Sequence, residues 1–278
     1  MLRISASQLT TFYECPRKWY YNYHMRRTRP SSAAMLRGST YHKIFELAYG
    51  KDMELGEVSA TIMAEHPEYV EYLPEAMAAF IGYQKTQTKP NFLIVDGKPA
   101  IEQEFVLQLE DDIMVRGKID YIHSIGSKAY ITDIKCTGMY LSDYYFGQFE
   151  LGFQSMLYSY VGNKFFPNIE GFMIDAVMMR KNSAVKYDRA FYPLLPNLDE
   201  FIDEIYRTAH FIKAHLPDGE DAFEHRWTSC TNKYGKCAYF EVCKSPVKIR
   251  HKLLNLDDYV DYSPLYIDGE EGVKVCSP

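Results

Sequence analysis
The sequence predicts an α/β or α+β fold, a mixed central sheet flanked by helices and preceded by a helical region. Two observations carry that prediction. Apolar residues recur at helical spacing over much of 5–87, and again over 142–166 and 198–215. From Ala100 the apolar period shortens to two, through a meander that ends near 135, with further strand at 172–192. Helices, a meander, then helix, strand and helix is the order of a layered sheet domain. The 278 residues are 47% hydrophobic, ample for one large core.

Each element has a local reason. Ser5-Ala-Ser-Gln8 is a capping-box-like start for a helix reaching Tyr13. Pro16 suits the first turn of a second helix carrying Trp19, Tyr20, Tyr21 and Tyr23. Arg26, Arg27, Arg29 and Pro30 mark a polar loop. Residues 35–49 read as a helix, with Leu36, Thr40 and Ile44 on one side and His42 paired with Glu46 on another. Residues 51–70 read as irregular or weakly helical, and 72–87 as a helix ended by Pro90. Ile101, Phe105, Leu107 and Leu109 then alternate with polar residues up to an acidic turn at Glu110-Asp-Asp112. That turn places Glu102 near Asp120 across the ladder. A strand over 113–122 leads into a hairpin. The span 142–166 reads as one long helix with Phe153, Leu157 and Val161 on its core stripe. Residues 172–179 pair with 185–192, 198–215 form an amphipathic helix, 217–224 an acidic loop, and 253–278 a loose tail.

The net charge of −6 and pI of about 5.8 exclude a chain coated in positive charge for non-specific nucleic-acid binding. The charge is uneven. Positions 1–50 hold eight Lys or Arg against Glu14 and Glu46, and 244–252 hold Lys244, Lys248, Arg250 and Lys252 with no acid. Such patches suit a bound polyanion or a solvated helix face. The start lacks the apolar stretch of a signal peptide, and no apolar run approaches the ~18 residues of a membrane span. A cytosolic setting is therefore expected. Structural disulfides are rare there, so six cysteines point to metal or cluster ligation.

Chemistry concentrates in the hairpin. Val115-Arg-Gly-Lys-Ile-Asp120 and Tyr130-Ile-Thr-Asp133-Ile-Lys135 flank Gly126-Ser127, a two-residue turn pair. With that turn, Ile125 faces Lys128 and Asp120 faces Asp133, their Cβ atoms roughly 5 Å apart. Lys135 shares their face. Two carboxylates and an amine suit a divalent cation and a phosphodiester; the plainer reading is a surface ion pair. His42 sits four residues after Gly38, a small residue that permits close approach of another backbone. Its imidazole suits softer ions such as Mn²⁺. Gln154 and Tyr158 are i,i+4 neighbours with polar tips. Cys230-x6-Cys237-x5-Cys243 favours a metal or an iron–sulfur cluster, with zinc and buried free thiols as alternatives. Of Cys15, Cys136 and Cys276, Cys15 in Glu14-Cys-Pro-Arg17 is the best fourth ligand. Cys136 points away from the Lys135 face by strand parity, and Cys276 lies in the tail.

In order, these elements resemble the RecB-like, iron–sulfur branch of the PD-(D/E)XK nucleases, which includes the AddB nuclease domain, CRISPR-adaptation nucleases and phage exonucleases. The resemblance runs from Ser5 to about Cys243. It rests on Ser5-x-Ser-Gln-Leu-x-x-Phe-x-x-Cys15-Pro, Gly38-x-x-x-His42, Gly117-Lys-Ile-Asp120, Asp133-Ile-Lys135 with Thr137-Gly138, and Gln154-x-x-x-Tyr158. It implies a restriction-endonuclease-like core in a single nuclease domain over 1–278. The helical region would be 1–95, the catalytic sheet 96–215, the iron–sulfur segment 216–252 and the tail 253–278. It implies that His42, Asp120, Asp133 and the Ile134 carbonyl bind Mg²⁺ or Mn²⁺ and that Lys135 is the catalytic lysine. Gln154 and Tyr158 would orient DNA or that lysine. Cys15, Cys230, Cys237 and Cys243 would hold a 4Fe–4S cluster, although close relatives often separate the second and third of these cysteines by two residues, not six. The implied activity is a DNA exonuclease on single strands or duplex ends, in recombination, repair or phage DNA processing. The alternatives are an end-trimming endonuclease of CRISPR-adaptation type and a non-catalytic DNA-binding subunit. No Gly-x4-Gly-Lys-Ser/Thr loop is present, so unwinding would need a helicase or recombination partner.

Overall fold
The computed structural model describes residues 1–180, 184–232, 235–256, 258–261 and 274–276. They form two compact units. One comprises Met1–Ser31, Gln108–Val115 and Ile202–Glu271; the other comprises Ser32–Leu107, Arg116–Phe201 and Gly272–Pro278.

The chain opens with strand β1 (Leu2–Ser5) and helix α1 (Ala6–Glu14). Ser5 caps α1, its hydroxyl accepting the Gln8 N–H at 3.2 Å. Pro16 starts a short helix through Trp19 that widens into a π-turn at Tyr20–His24. Helix α2 (Ala33–Phe45) extends through a second π-turn, and α4 (Leu73–Thr86) follows α3 (Leu55–Glu65). Helix α3 decides 51–70 in favour of the helical alternative. Glu54 and Glu57 close a reciprocal capping box there, and Val58 and Ile62 bury one turn apart.

The strands are β2 (Ile101–Glu110), β3 (Ile113–Ile125) and β4 (Lys128–Thr137), then β5 (Ile169–Met178) and β6 (Lys186–Pro193) after helix α5 (Phe153–Phe165). Helix α6 (Leu198–His215) has the predicted bounds, and α7 (Val247–Leu254) follows the cysteines. The expected long helix over 142–166 is broken. A short helix ends at Gly147, and Gly152 supplies the extended N-cap from which α5 restarts. The loose tail is also corrected in part. Its start completes α7, and β7 (Lys274–Cys276) lies parallel to Phe105–Leu107. The rest of the tail falls outside the described residues.

The seven-stranded sheet is mixed, ordered β7-β2-β3-β4-β5-β6 with β1 also on β3. The β3–β4 hairpin keeps the expected register from Ile125↔Lys128 to Tyr121↔Thr132. β4 and β5 run parallel, joined by α5, while β5 and β6 are antiparallel. On one face Tyr41, Ile44 and Phe45 of α2 and Phe80 and Tyr83 of α4 pack with Tyr121, Ile134 and Val177. Odd-numbered β4 residues look the other way, onto α5. A Cβ at Gly162 would sit 2.0 Å from Ile131 Cδ1, so only glycine lets that helix approach so closely. Among the described residues no helix is long and apolar enough to cross a membrane.

Candidate active site
The site lies where β3 and β4 stop pairing. Beyond Tyr121↔Thr132, the Ile134 N–H donates to Asp120 Oδ2 at 2.7 Å instead of to a strand carbonyl. His42 of α2 joins from the side. Its Nε2 donates to the Ile134 carbonyl at 3.0 Å, and its Nδ1 lies 3.5 Å from Asp120 Oδ1. The expected His42–Glu46 pair is not made, because Glu46 takes Lys43 at 2.5 Å. Gly38, one turn before His42, faces the side chain of Cys136, not a backbone; a Cβ there would meet Cys136 Cβ at 3.7 Å.

Asp133, Lys135 and Gln154 form a closed ring. Lys135 Nζ lies 2.6 Å from Asp133 Oδ2 and donates to Gln154 Oε1 at 2.9 Å. Gln154 Nε2 donates to Asp133 Oδ1 at 2.7 Å. One amide thus fixes both the buried carboxylate and the lysine. Tyr158, a turn further along α5, is buried with its ring edge-on to Phe105 at 5.5 Å. Gly117 completes that contact: a Cβ there would fall 2.4 Å from Phe105 Cζ and 3.2 Å from Tyr158. The glycine of Gly117-Lys-Ile-Asp120 is therefore a packing requirement.

Glu102 is the residue the motifs did not mark. His42, Glu102 and Asp120 offer three ligand atoms within 4.8 Å of one another, the geometry a single ion needs. The carboxylate of Glu102 also pairs with Lys118. Its backbone is left-handed at φ 52°, a conformation that costs a non-glycine residue about 1–3 kcal/mol. The available signal was its place across the ladder from Asp120.

The electrostatics follow from crowding. Burial favours neutral His42, but the charge and hydrogen bond of Asp120, backed by Glu102 and Asp133, outweigh it and raise His42 to about 9. Burial also opposes an ionised Asp120, yet His42, Lys135 and the Ile134 amide bring it below its usual range. Asp133 goes the other way, because burial outweighs the Lys135 ammonium and Asp120 adds repulsion. Glu102 is raised by burial and by Asp120, partly offset by Lys118. Burial works against a charged Lys135, but Asp133 and Asp120 hold it protonated more firmly than usual. Such a crowd of carboxylates around imidazole nitrogen is a donor set for a small divalent cation.

The other unit brings Cys15, Cys230, Cys237 and Cys243 around one narrow recess. Cys15 follows α1, its N–H donating to Thr11 O at 2.9 Å. The six residues between Cys230 and Cys237 include a small antiparallel ladder, Thr231↔Lys236 and Asn232↔Gly235. Its ends are the cysteines, with the Cys237 N–H on Cys230 O at 2.8 Å. The ladder brings Cys230 and Cys237 back side by side despite their long spacing. Burial, then the charge of the other cysteines, disfavours the thiolates of Cys230 and Cys243, raising Cys243 to about 12. No three of these sulfurs lie within 4.8 Å of one another. Cys136 stands apart, packed against the core below Ile134. The side chain of Cys276 lies outside the described residues.

Charged and polar side chains frame the recess. Glu220 Oε1 takes the Arg17 guanidinium, the Tyr21 hydroxyl at 2.8 Å and Arg250 Nη1 at 2.6 Å. Arg250 Nη2 also donates to Cys243 O at 3.3 Å, and Ser229 Oγ to Glu14 O at 2.9 Å.

The family model of the PD-(D/E)XK nuclease superfamily matches residues 3–244. Among solved structures, the crystal structure named "Putative exonuclease" from Eubacterium rectale aligns with a TM-score of 0.52 at 14% identity, over 91% of this chain and 94% of that one. At that identity the likeness is one of fold. A second, SSO0001, aligns over 69% of this chain and 83% of that one at 10% identity, but with a TM-score of only 0.27. No curated protein matches the sequence. The family match spans the hairpin, its flanking helices and the cysteines alike, and on that extent the chain belongs to the PD-(D/E)XK nuclease superfamily.

Proposed function
We propose that the chain is a metal-dependent DNA exonuclease of the RecB-like, iron–sulfur-bearing branch, acting on single-stranded DNA or duplex ends. The observation that carries this reading is the pairing of two devices at one point. His42, Glu102 and Asp120 converge as cation ligands, and beside them Lys135 is held by Asp133 and Gln154. Phosphodiester hydrolysis needs both a cation and a placed ammonium.

The donor set fits Mg²⁺ or Mn²⁺, with the imidazole favouring Mn²⁺. His42, Glu102, Asp120 and the Ile134 carbonyl would hold the ion, with Asp133 beside them. When bound, the ion supplies charge to the phosphate oxygens and acidifies a water. The side chains do the rest. Lys135 offers its ammonium to the oxygens on which charge builds as phosphorus becomes five-coordinate. Gln154 keeps that ammonium from swinging away, since its amide is anchored on Asp133. The burial of Asp120 and Asp133 lowers the local dielectric, so these charges act more strongly than in water.

The four cysteines that line the recess would hold a 4Fe–4S cluster, with a single zinc as the alternative. With no phosphate loop in the chain, a helicase or recombination partner would supply unwinding, in intracellular recombination, repair or phage DNA processing.

The test uses 5′- and 3′-labelled single and double strands with Mg²⁺ or Mn²⁺. Progressive shortening that Lys135→Ala abolishes is the expected result. Cleavage by pure Lys135→Ala protein would sink the assignment, and one product of fixed length would identify an end-trimming endonuclease instead.

A further inference from the structure
We infer that Tyr140 and Arg180 form a stacking platform for an unpaired nucleobase beside the active site, so that this chain selects strands with exposed bases. The inference rests on the nuclease reading and adds a substrate class to it. Tyr140 and Arg180 leave the sheet together. Thr137 of β4 pairs with Met178 of β5, and the Met179 N–H donates to Thr137 O at 2.9 Å just before the two chains part. The carboxyl ends of adjacent parallel strands are where open sheets bind ligands.

Arg180 lies over the Tyr140 ring, its guanidinium carbon 4.9 Å from the centroid. It covers one face of the ring by a cation–π contact, and Tyr140 is still 63% exposed as a residue. A tyrosine so held has given up much of its freedom before any base arrives. The segment between the two site residues Lys135 and Gln154 also exposes Tyr144 at 77% and Leu151 at 69%. Tyr140 is five positions beyond Lys135, at most about 17 Å along the chain, a few nucleotides at the 3.4 Å rise of stacked bases. Arg180 and exposed Lys186, which pairs with Met178, offer positive charge to a backbone; Asp143 and Glu150, also exposed, oppose it. Bases inside a duplex hide their faces in the stack and cannot use the ring.

Steady-state cleavage of an oligothymidylate and of the same strand bearing abasic terminal sites tests this. Tyr140→Ala should raise KM for the thymidine strand about tenfold with kcat kept, since stacking contributes about 1–3 kcal/mol per base. The preference for the base-bearing strand should collapse toward one. Tyr140→Phe should restore both. Thermal melting checks that the exposed substitution leaves the fold intact. A preference for bases that survives Tyr140→Ala overturns the platform and leaves the nuclease intact. Absence of cleavage of any strand by the unaltered protein overturns the nuclease reading and the platform with it.

Discussion
Asp120 Oδ2 accepts the Ile134 N–H at 2.7 Å, at the point where the β3–β4 ladder opens. A carboxylate has taken the place of a strand carbonyl. That substitution frees the Ile134 carbonyl to meet His42 and turns the peptide toward the proposed cation position. One residue therefore terminates the ladder, satisfies a buried amide and offers its remaining oxygen as a ligand.

The two roles of Asp120 separate by substitution. Asp120→Ala leaves the Ile134 amide buried without its acceptor and should cost about 1–3 kcal/mol, seen as a lower denaturant midpoint. Asp120→Asn keeps an oxygen for that amide and should melt closer to the parent protein. Both should lose Mn²⁺ affinity by calorimetric titration, and cleavage with it. If Asp120→Asn binds Mn²⁺ as the parent does, Asp120 is not a ligand.

Gln154 and Lys135 should behave as one unit. Gln154→Ala releases both the lysine and Asp133, and a drop in kcat of about 10²-fold is expected with Mn²⁺ affinity nearly kept. Lys135→Ala should be at least as severe, and the double variant little worse than Lys135→Ala alone. Rate losses that multiply in the double variant would show that Gln154 acts independently.

The β3–β4 hairpin was legible because its turn is local: Gly126-Ser127 sets Ile125 against Lys128, and parity then places Asp133 and Lys135 on one face. The Ser5 cap and the bounds of α6 were likewise written in adjacent residues. Helix α3 was legible only as a weak helix because Gly56, Ser59 and Thr61 blur its short apolar stripe, and tertiary burial of Val58 and Ile62 decides it. Pairing of Lys274–Cys276 with Phe105–Leu107 joins segments far apart in the chain, beyond any local signal. Glu102 escaped because no motif contains it. Its role depends on a strained backbone and on which residue lies across the ladder.

The cysteines predict a metal content. Anaerobic protein should carry about four iron and four sulfide per chain, with visible absorbance. Serine at Cys15, Cys230, Cys237 or Cys243 should each lower iron together with thermal stability. Cys136→Ser should keep the iron, since Cys136 packs against the core below Ile134 and not in the recess. Stoichiometric zinc without iron in the unaltered protein would replace the cluster by a single ion. Iron loss in Cys136→Ser alone would mean that the recess is the wrong site.

Glu220 gives the pH test. Burial opposes its charge, but hydrogen bonds from Arg250 and Tyr21 and the charge of Arg17 hold its carboxyl below the ordinary 4.5. A depressed carboxyl stabilises the folded state fully above its unfolded value, and that contribution is lost as pH falls through the folded value. The Glu220 side chain is 9% exposed and its Arg17 and Arg250 partners are 5% and 11% exposed, so this is a buried ion triad. Removing the shared partner leaves two buried guanidinium groups facing each other. Glu220→Gln should therefore cost about 3 kcal/mol at pH 7. The gap between parent and variant should stay constant from pH 7 to about 5 and narrow below 4.5, because protonation makes the parent resemble the variant. Denaturant unfolding of both proteins from pH 7 to 3 measures it, and any cluster loss in acid is shared by the two and cancels in the difference. A gap that stays the same down to pH 3 would assign the loss to packing, and the charge of Glu220 would have no part in holding the cysteine frame.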